Sequence, residues 1–539
     1  MMRVSVVFAF FMLPLILPAV TLKQIDTMPR SYAKDFYIWR FLDQNITPEQ
    51  ADRAFYQVKS VNWKILRRFA EKTKQPGFKE AAECYRLKAR QLPAKTAECS
   101  VIALSPYKFT KIGEERRYKL LEQISNFPQT LRWAGVMALE QPFFELVKSD
   151  EKLFFKVFNN CGSQWREQHL NHPLPPKLIK KLSKQRAFAQ TIKLIVTDKK
   201  LDRLQRSLLG IDATPLSHQS TFFLAMNALR HGRETLAAHY LGVAYKKAYY
   251  RFDKDKTLFW LSQIHPEKEY LRKLSKSFDL NIYTLYADEK LKAPLPRIVT
   301  PLFKDTPVDY NISDPFAWLR TLRQISGKKQ DYLIEYAKRF ASARTEGHYA
   351  FVMERASRYR THYFPMPYKK AYEKLGNDEK ALLLALARQE SRFIPASVSP
   401  SYALGMMQIM PFLVKALAKE RKEPFDLDAM LQPQHNIGYA VTHLKYLRRF
   451  LSHPLFIAYA YNGGIGFTKR MLTKKGLFRK GEYEPWLSME LVHYDESRRY
   501  GKKVLANYLV YKKLLGEPIS LESAVETLTR PERTDRFRK

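Results

Sequence analysis

One glutamate sits where the sequence otherwise repeats apolar side chains. In Lys380–Phe393, KALLLALARQESRF, the residues Leu382, Leu383, Leu386 and Ala387 recur at helical spacing and predict a helix with a buried face. Glu390 follows Leu383 by seven residues and Leu386 by four, so its carboxyl falls on that face. Apolar surroundings disfavour the charged form, so such a carboxyl can hold a proton near neutral pH and act as a general acid. Taken alone, the segment fits better a structural Glu paired to Arg388, Arg392 or backbone donors.

Two later segments change that balance. Ser399–Pro411, SPSYALGMMQIMP, has a turn-prone start, a Gly, the amide Gln408 inside an apolar run, and a Pro stop. A buried amide needs hydrogen-bond partners, from its own chain or from a polar ligand. Ala458–Gly466, AYAYNGGIG, combines aromatic, amide and glycine residues, a set suited to carbohydrate. It also fits a helix end with a Gly cap. A phosphate-binding loop is disfavoured, because no Lys-Ser/Thr follows the glycines.

In order along the chain, Glu390-Ser391, the run 399–411, an Asn436-Ile437-Gly438 turn and Ala460-Tyr461-Asn462-Gly463 resemble the motifs of the soluble lytic murein transglycosylase domain. Glu490 to Tyr500, with Glu496 and Ser497, resembles its final signature. The resemblance implies a goose-type-lysozyme-like α-fold over roughly residues 370 to 515. It implies that Glu390 is the catalytic acid, and that Ser399, Gln408, Met410, Tyr461, Asn462 and Glu496 line the glycan cleft or orient the reacting groups. It further implies cleavage of peptidoglycan between MurNAc and GlcNAc by a single Glu, leaving 1,6-anhydromuramic ends. A lysozyme-type hydrolase and a non-catalytic glycan-binding scaffold are the alternatives. Tyr402 stands where the family has Gly, which puts the loop conformation in question, since a left-handed φ is unfavourable for Tyr. Gly463 in place of a common Ala is expected to be neutral.

The elements that must position these residues read as helix almost throughout, giving an all-α fold class. Residues 21–292 carry helical spacing in units that suggest an N-terminal α-superhelical (solenoid) domain, without a clean repeat motif. Residues 293–366 form linker helices behind a Pro-rich connection, and 367–515 form the lysozyme-like α domain. Residues 516–539 are a C-terminal tail, whose charged end from Arg530 is expected to fray. Residues 1–20, basic and then apolar, read as a cleaved signal peptide, which predicts a periplasmic location. In an exported chain, Cys84 and Cys99 could pair across a short loop; three buried thiols, with Cys161, fit equally well.

The net charge of +39 is spread along the chain. Behind a signal peptide it argues against nucleic acid and for acidic envelope polymers: peptidoglycan strands as substrate, with peripheral association to anionic envelope surfaces and other cell-wall enzymes as further candidate partners. No cofactor is expected, and His435, His443, His453 and His493 have no metal-ligand spacing. His443 is expected to be a surface or interhelix residue.

Overall fold

A computed structural model describes residues 19–265 and 267–538. The predicted signal peptide lies outside the described residues, except for its last two. The fold is all-α. The one sheet among the described residues is a two-residue parallel pair, Ile298–Val299 with His362–Tyr363, which ties the start of the predicted linker to its end.

The N-terminal half is a succession of short helices, many started by a side chain that accepts a first-turn N–H. Ser31, Asn62 and Ser217 cap in this way, at 3.0–3.2 Å. The helices His218–Arg230 and Glu234–Lys247 pack along their length as an antiparallel hairpin. Phe78–Arg86 and Ala97–Ala103 are joined by a Cys84–Cys99 disulfide, which settles the cysteine alternatives, and Cys161 is a free buried thiol. Between Leu291 and Pro315 there is no helix, as the Pro-rich sequence requires.

Both ends of this helical row meet the C-terminal region. At the start, Arg40 forms a two-pronged pair with Asp428 at 2.6 and 2.9 Å, and Lys64 Nζ donates to the Ser401 carbonyl at 2.7 Å, while Tyr37 stacks with Phe316 of the predicted linker. At the end, Tyr283 on the helix Ile282–Leu291 donates to the Glu490 carboxylate and accepts from Lys502 Nζ at 2.8 Å. Lys502 also pairs with Glu490 at 2.6 Å, and both residues are 1–2% exposed. Burial alone would push Glu490 up; Lys502 and Lys256 beside it outweigh that and hold it below the usual carboxylate range.

The apolar residues divide into a large cluster, shared by the N-terminal helices and the C-terminal region, and a small one in the linker. The small cluster is built on Trp318, Leu333, Phe340, Phe351 and Val352, and it takes in Ile394 and Ala396 from just beyond Glu390.

The charged tail does not fray. Asp535 and Arg538 form a fully buried pair at 2.7 Å, and Arg538 also donates to the carbonyls of Phe478 and Leu528. Arg536 N–H donates to the Phe450 carbonyl, and the Phe537 and Phe450 rings stack. Charge here signals a satisfied internal network and not solvation. Among the described residues, no helix is long and apolar enough to cross a membrane.

Lys502→Met leaves the buried Glu490 carboxylate without its directly paired cation, with Lys256 alone beside it. It is expected to lower unfolding free energy by about 3–5 kcal/mol, measured by urea denaturation.

Candidate active site

Glu390 is the last residue of the helix Asn377–Glu390. Asp378 and Glu379 in the first turn complement the helix dipole. Ala381 to Ala387 are all buried, so this helix is enclosed on every side, where the sequence spacing predicted one buried face. Its main neighbour is the long helix Asp495–Leu514.

From that neighbour Tyr500 Oη donates to Glu390 Oε1 at 2.7 Å. Burial pushes the Glu390 carboxyl up to about 7; the Tyr500 hydrogen bond opposes this, and the Glu496 charge adds to it. Glu390 is nevertheless partly exposed and Glu496 is exposed, so solvent reaches this end of the helix.

The segment 397–410 is folded on itself by bridges from Leu404 to Val398 and to Ile409. Ser399 Oγ accepts the Ala403 N–H at 2.9 Å. Gln408 donates its amide to the carbonyls of Gly405 and Ser397, at 2.8 and 3.2 Å. Both residues hold the loop in shape, and Gln408 keeps its amide oxygen for other partners. Gly405 has φ +76, and a Cβ there would meet the Met430 carbonyl at 2.1 Å. Met410 is half-buried at the start of the helix Pro411–Arg421. Ser391 Oγ donates to the Met406 carbonyl at 2.8 Å, fastening the loop to the end of the acid's helix.

Tyr461 and Asn462 lie at the end of the helix Pro454–Gly463, which closes at Gly464 with φ +85. The sequence reading of this stretch as a helix end with a Gly cap is therefore borne out. Tyr461 Oη donates to the Met407 carbonyl at 2.8 Å. Asn462 donates to Glu496 Oε1 at 3.0 Å and accepts from Ser497 Oγ at 2.6 Å. Gly463 leaves room for the Phe467 ring, which a Cβ would meet at 2.6 Å, so an Ala is not neutral here. His443 packs against Tyr446 and Tyr461, and burial pushes it down to about 4.

The structure thus gathers Glu390, Tyr461, Asn462 and Glu496 around one centre, with Ser399, Gln408 and Met410 in the adjoining loop. Arg388 and Arg392 do not pair with Glu390; both bind Glu354 of the linker.

With this geometry in view, residues 367–483 match the sequence family described as Transglycosylase SLT domain. Over 169 residues the chain is 30% identical to the soluble lytic murein transglycosylases of Escherichia coli K12 and Salmonella typhimurium. That alignment covers 30% of this chain and 26% of each relative, so the match spans about a quarter of their length. The solved lytic transglycosylase Slt of Pseudomonas aeruginosa aligns over 93% of this chain and 89% of its own, with 15% identity and a TM-score of 0.49.

Glu496 and Tyr500 lie beyond the segment matched by the SLT domain. Tyr500 was quoted in the terminal signature but given no role there; its contact with Glu390 spans 110 residues and leaves no local trace. Asn436 was also missed as a site-shaping residue. It sits inside the helix Pro433–Arg448, not in a turn, is 1% exposed, accepts the Met407 N–H at 2.6 Å and donates to the Leu404 carbonyl. A buried Asn demands such partners, which was the available signal.

Tyr402 adopts φ +66, the conformation that Gly takes freely. The strain is held by burial: the residue is 0% exposed, lies near Phe36 and Trp39, and its Oη accepts from Asn62 Nδ2 at 2.8 Å. Tyr402→Gly relieves about 1–2 kcal/mol of backbone strain but removes a buried ring worth about 3–5. A net destabilisation of about 2–3 kcal/mol is expected by thermal or urea unfolding. Tyr500→Phe removes the hydrogen bond that favours the Glu390 carboxylate. The Glu390 titration should therefore move upward by about one pH unit, read by carbon-13 NMR of labelled Glu.

Proposed function

We propose that this protein is a peptidoglycan lytic transglycosylase, cleaving the β-1,4 bond between MurNAc and GlcNAc. The observation that carries this reading is the partly exposed Glu390 carboxyl, raised to about 7 at the end of a buried helix. At neutral pH about half of such groups carry a proton, against well under 1% of ordinary Glu. The SLT domain and the curated relatives support the substrate class.

In this mechanism Glu390 donates its proton to the glycosidic oxygen as the bond from C1 to that oxygen breaks. The substrate's own N-acetyl group assists departure. The Glu390 carboxylate then takes the proton of the C6 hydroxyl while O6 closes onto C1. The acid is restored, no water is consumed, and the product ends in 1,6-anhydromuramic acid. Tyr500 orients the carboxyl through both steps. Gln408, Met410, Tyr461 and Asn462 border the strand, and Ser399 shapes the loop beside it.

Peptidoglycan as substrate implies work in the periplasm, reached through the signal peptide expected at residues 1–20. The net charge of +39 draws the enzyme to anionic envelope polymers, an attraction that weakens with salt. Other cell-wall enzymes are candidate partners there.

One observation favours a second reading. Glu496 lies close enough to raise Glu390, and a second carboxylate could activate water, as in a hydrolase. Mass spectrometry of a digest of purified sacculi separates the two: transglycosylase products are one water lighter than hydrolase products. Glu390→Gln is expected to keep the fold and lower turnover on sacculi by at least about 10²–10⁴. Retained turnover in that variant would rule out Glu390 as the acid.

A further inference from the structure

The helix that carries Glu390 ends on that residue, so the carboxyl depends on the exit turn that follows. Arg392 and Phe393 in this turn both have left-handed backbone, with φ +56 and +65. L residues resist that conformation, and it persists only where surroundings impose it. The surroundings come largely from the linker helix Glu346–Ala356, outside the SLT segment. Gly347 on that helix lets the Phe393 backbone approach; a Cβ there would lie 2.6 Å from the Phe393 carbonyl oxygen. Ile394 and Ala396 are then buried in the linker's own apolar cluster.

Glu354, on the same linker helix, is 3% exposed. Its Oε1 accepts from Arg388 Nη2 at 2.6 Å and from the Tyr363 N–H at 3.2 Å, and its Oε2 meets Arg392 Nη1. Arg388 also donates to the Tyr363 carbonyl and to Asn507 Oδ1, both at 3.0 Å. Arg388 precedes Glu390 by two residues and Arg392 follows it by two. One linker carboxylate therefore grips the chain on both sides of the acid.

We propose that Glu354 is a positioning residue for the reaction at Glu390, fixing the exit turn and neutralising the two guanidinium groups that flank the acid. This rests on the reading of Glu390 as the general acid. Around the turn lie Arg388 and Arg392 on its own segment, Arg499 and Lys503 on the long helix, and Asp279 from the N-terminal helices. Glu390 itself faces Glu496 and Tyr500 on the long helix and Tyr461 at the end of the helix Pro454–Gly463. In this largely cationic setting Glu354 is the carboxylate bound directly to both guanidinium groups. Without it, excess positive charge favours the Glu390 carboxylate and removes the proton that the first step needs.

The test is the pH dependence of kcat/KM on purified sacculi, using the full chain and variants at Glu354 and Arg392. In Glu354→Gln the alkaline limb should move to lower pH by about one unit, with roughly fivefold lower kcat at neutral pH and KM nearly unchanged. In Arg392→Gln one cation is lost while Glu354 stays, so the limb should move to higher pH. The double variant Glu354→Gln/Arg392→Gln should return the limb toward the wild-type position. If the Glu354 variant does not fold, the alkaline movement in Arg392→Gln alone carries the test. A limb that stays in place in Arg392→Gln, or that moves the same way in both single variants, overturns the proposal. Failure of the underlying reading shows elsewhere, as turnover retained by Glu390→Gln.

Discussion

A carboxyl group holds a proton near neutral pH only when the protein keeps water from one side of it. In this molecule that condition depends on two helices lying side by side, Asn377–Glu390 and Asp495–Leu514. The first is sheathed in apolar contacts from Ala381 to Ala387, which removes solvent from behind Glu390. The second brings Tyr500 to within 2.7 Å, and the hydrogen bond fixes the carboxyl's direction without cancelling the effect of burial. The rest of the site is assembled around this pair. The 397–410 loop is anchored to the end of the first helix by Ser391 and to its neighbours by Tyr461 and Asn436. Asn462 reaches the second helix through Glu496 and Ser497.

The same long helix ties the site to the N-terminal helices. Lys502 lies on it, between Glu490 and Tyr283. Asp495 begins it and pairs with Lys193 at 3.1 Å. Ion pairs of this kind, buried at Lys502 and half-buried at Asp495, are weak evidence for added stability, but they admit few alternative arrangements. Each is satisfied only when helices from distant parts of the sequence meet in one register. Arg538, paired locally with Asp535, does the same for the tail through the Phe478 carbonyl.

What could be read in the sequence divides along sequence distance. Glu390 was legible because seven- and four-residue spacings placed it on an apolar face, and later motifs supported the same chemistry. The helical hairpin at 218–247 and the Pro-rich break before Pro315 were legible because local composition determines both. The partners of Arg388 and Arg392 were not. Their carboxylate is Glu354, 34 residues before Arg388, and nothing local distinguishes it from a solvated Glu. Tyr402 read as a disturbance because only its backbone preference was visible. Its compensation lies in Asn62, 340 residues earlier. The tail read as frayed because a charged composition usually means exposure, and the pairing that buries it is a tertiary fact.

The Tyr402 contact bears on modularity. In sequence, the SLT segment has the boundaries of a movable part, with its acid, loop and amide in one compact stretch. In space, it is wired into the rest of the chain. Cut free, it would expose the Tyr402 ring while keeping its strained backbone, lose the Arg40 partner of Asp428, and leave Arg388 without Glu354. The helices outside it complete its interior, so exchanging this segment between chains means exchanging Asn62, Arg40 and Glu354 with it. The unit of inheritance for this site is larger than the domain that bears its motifs.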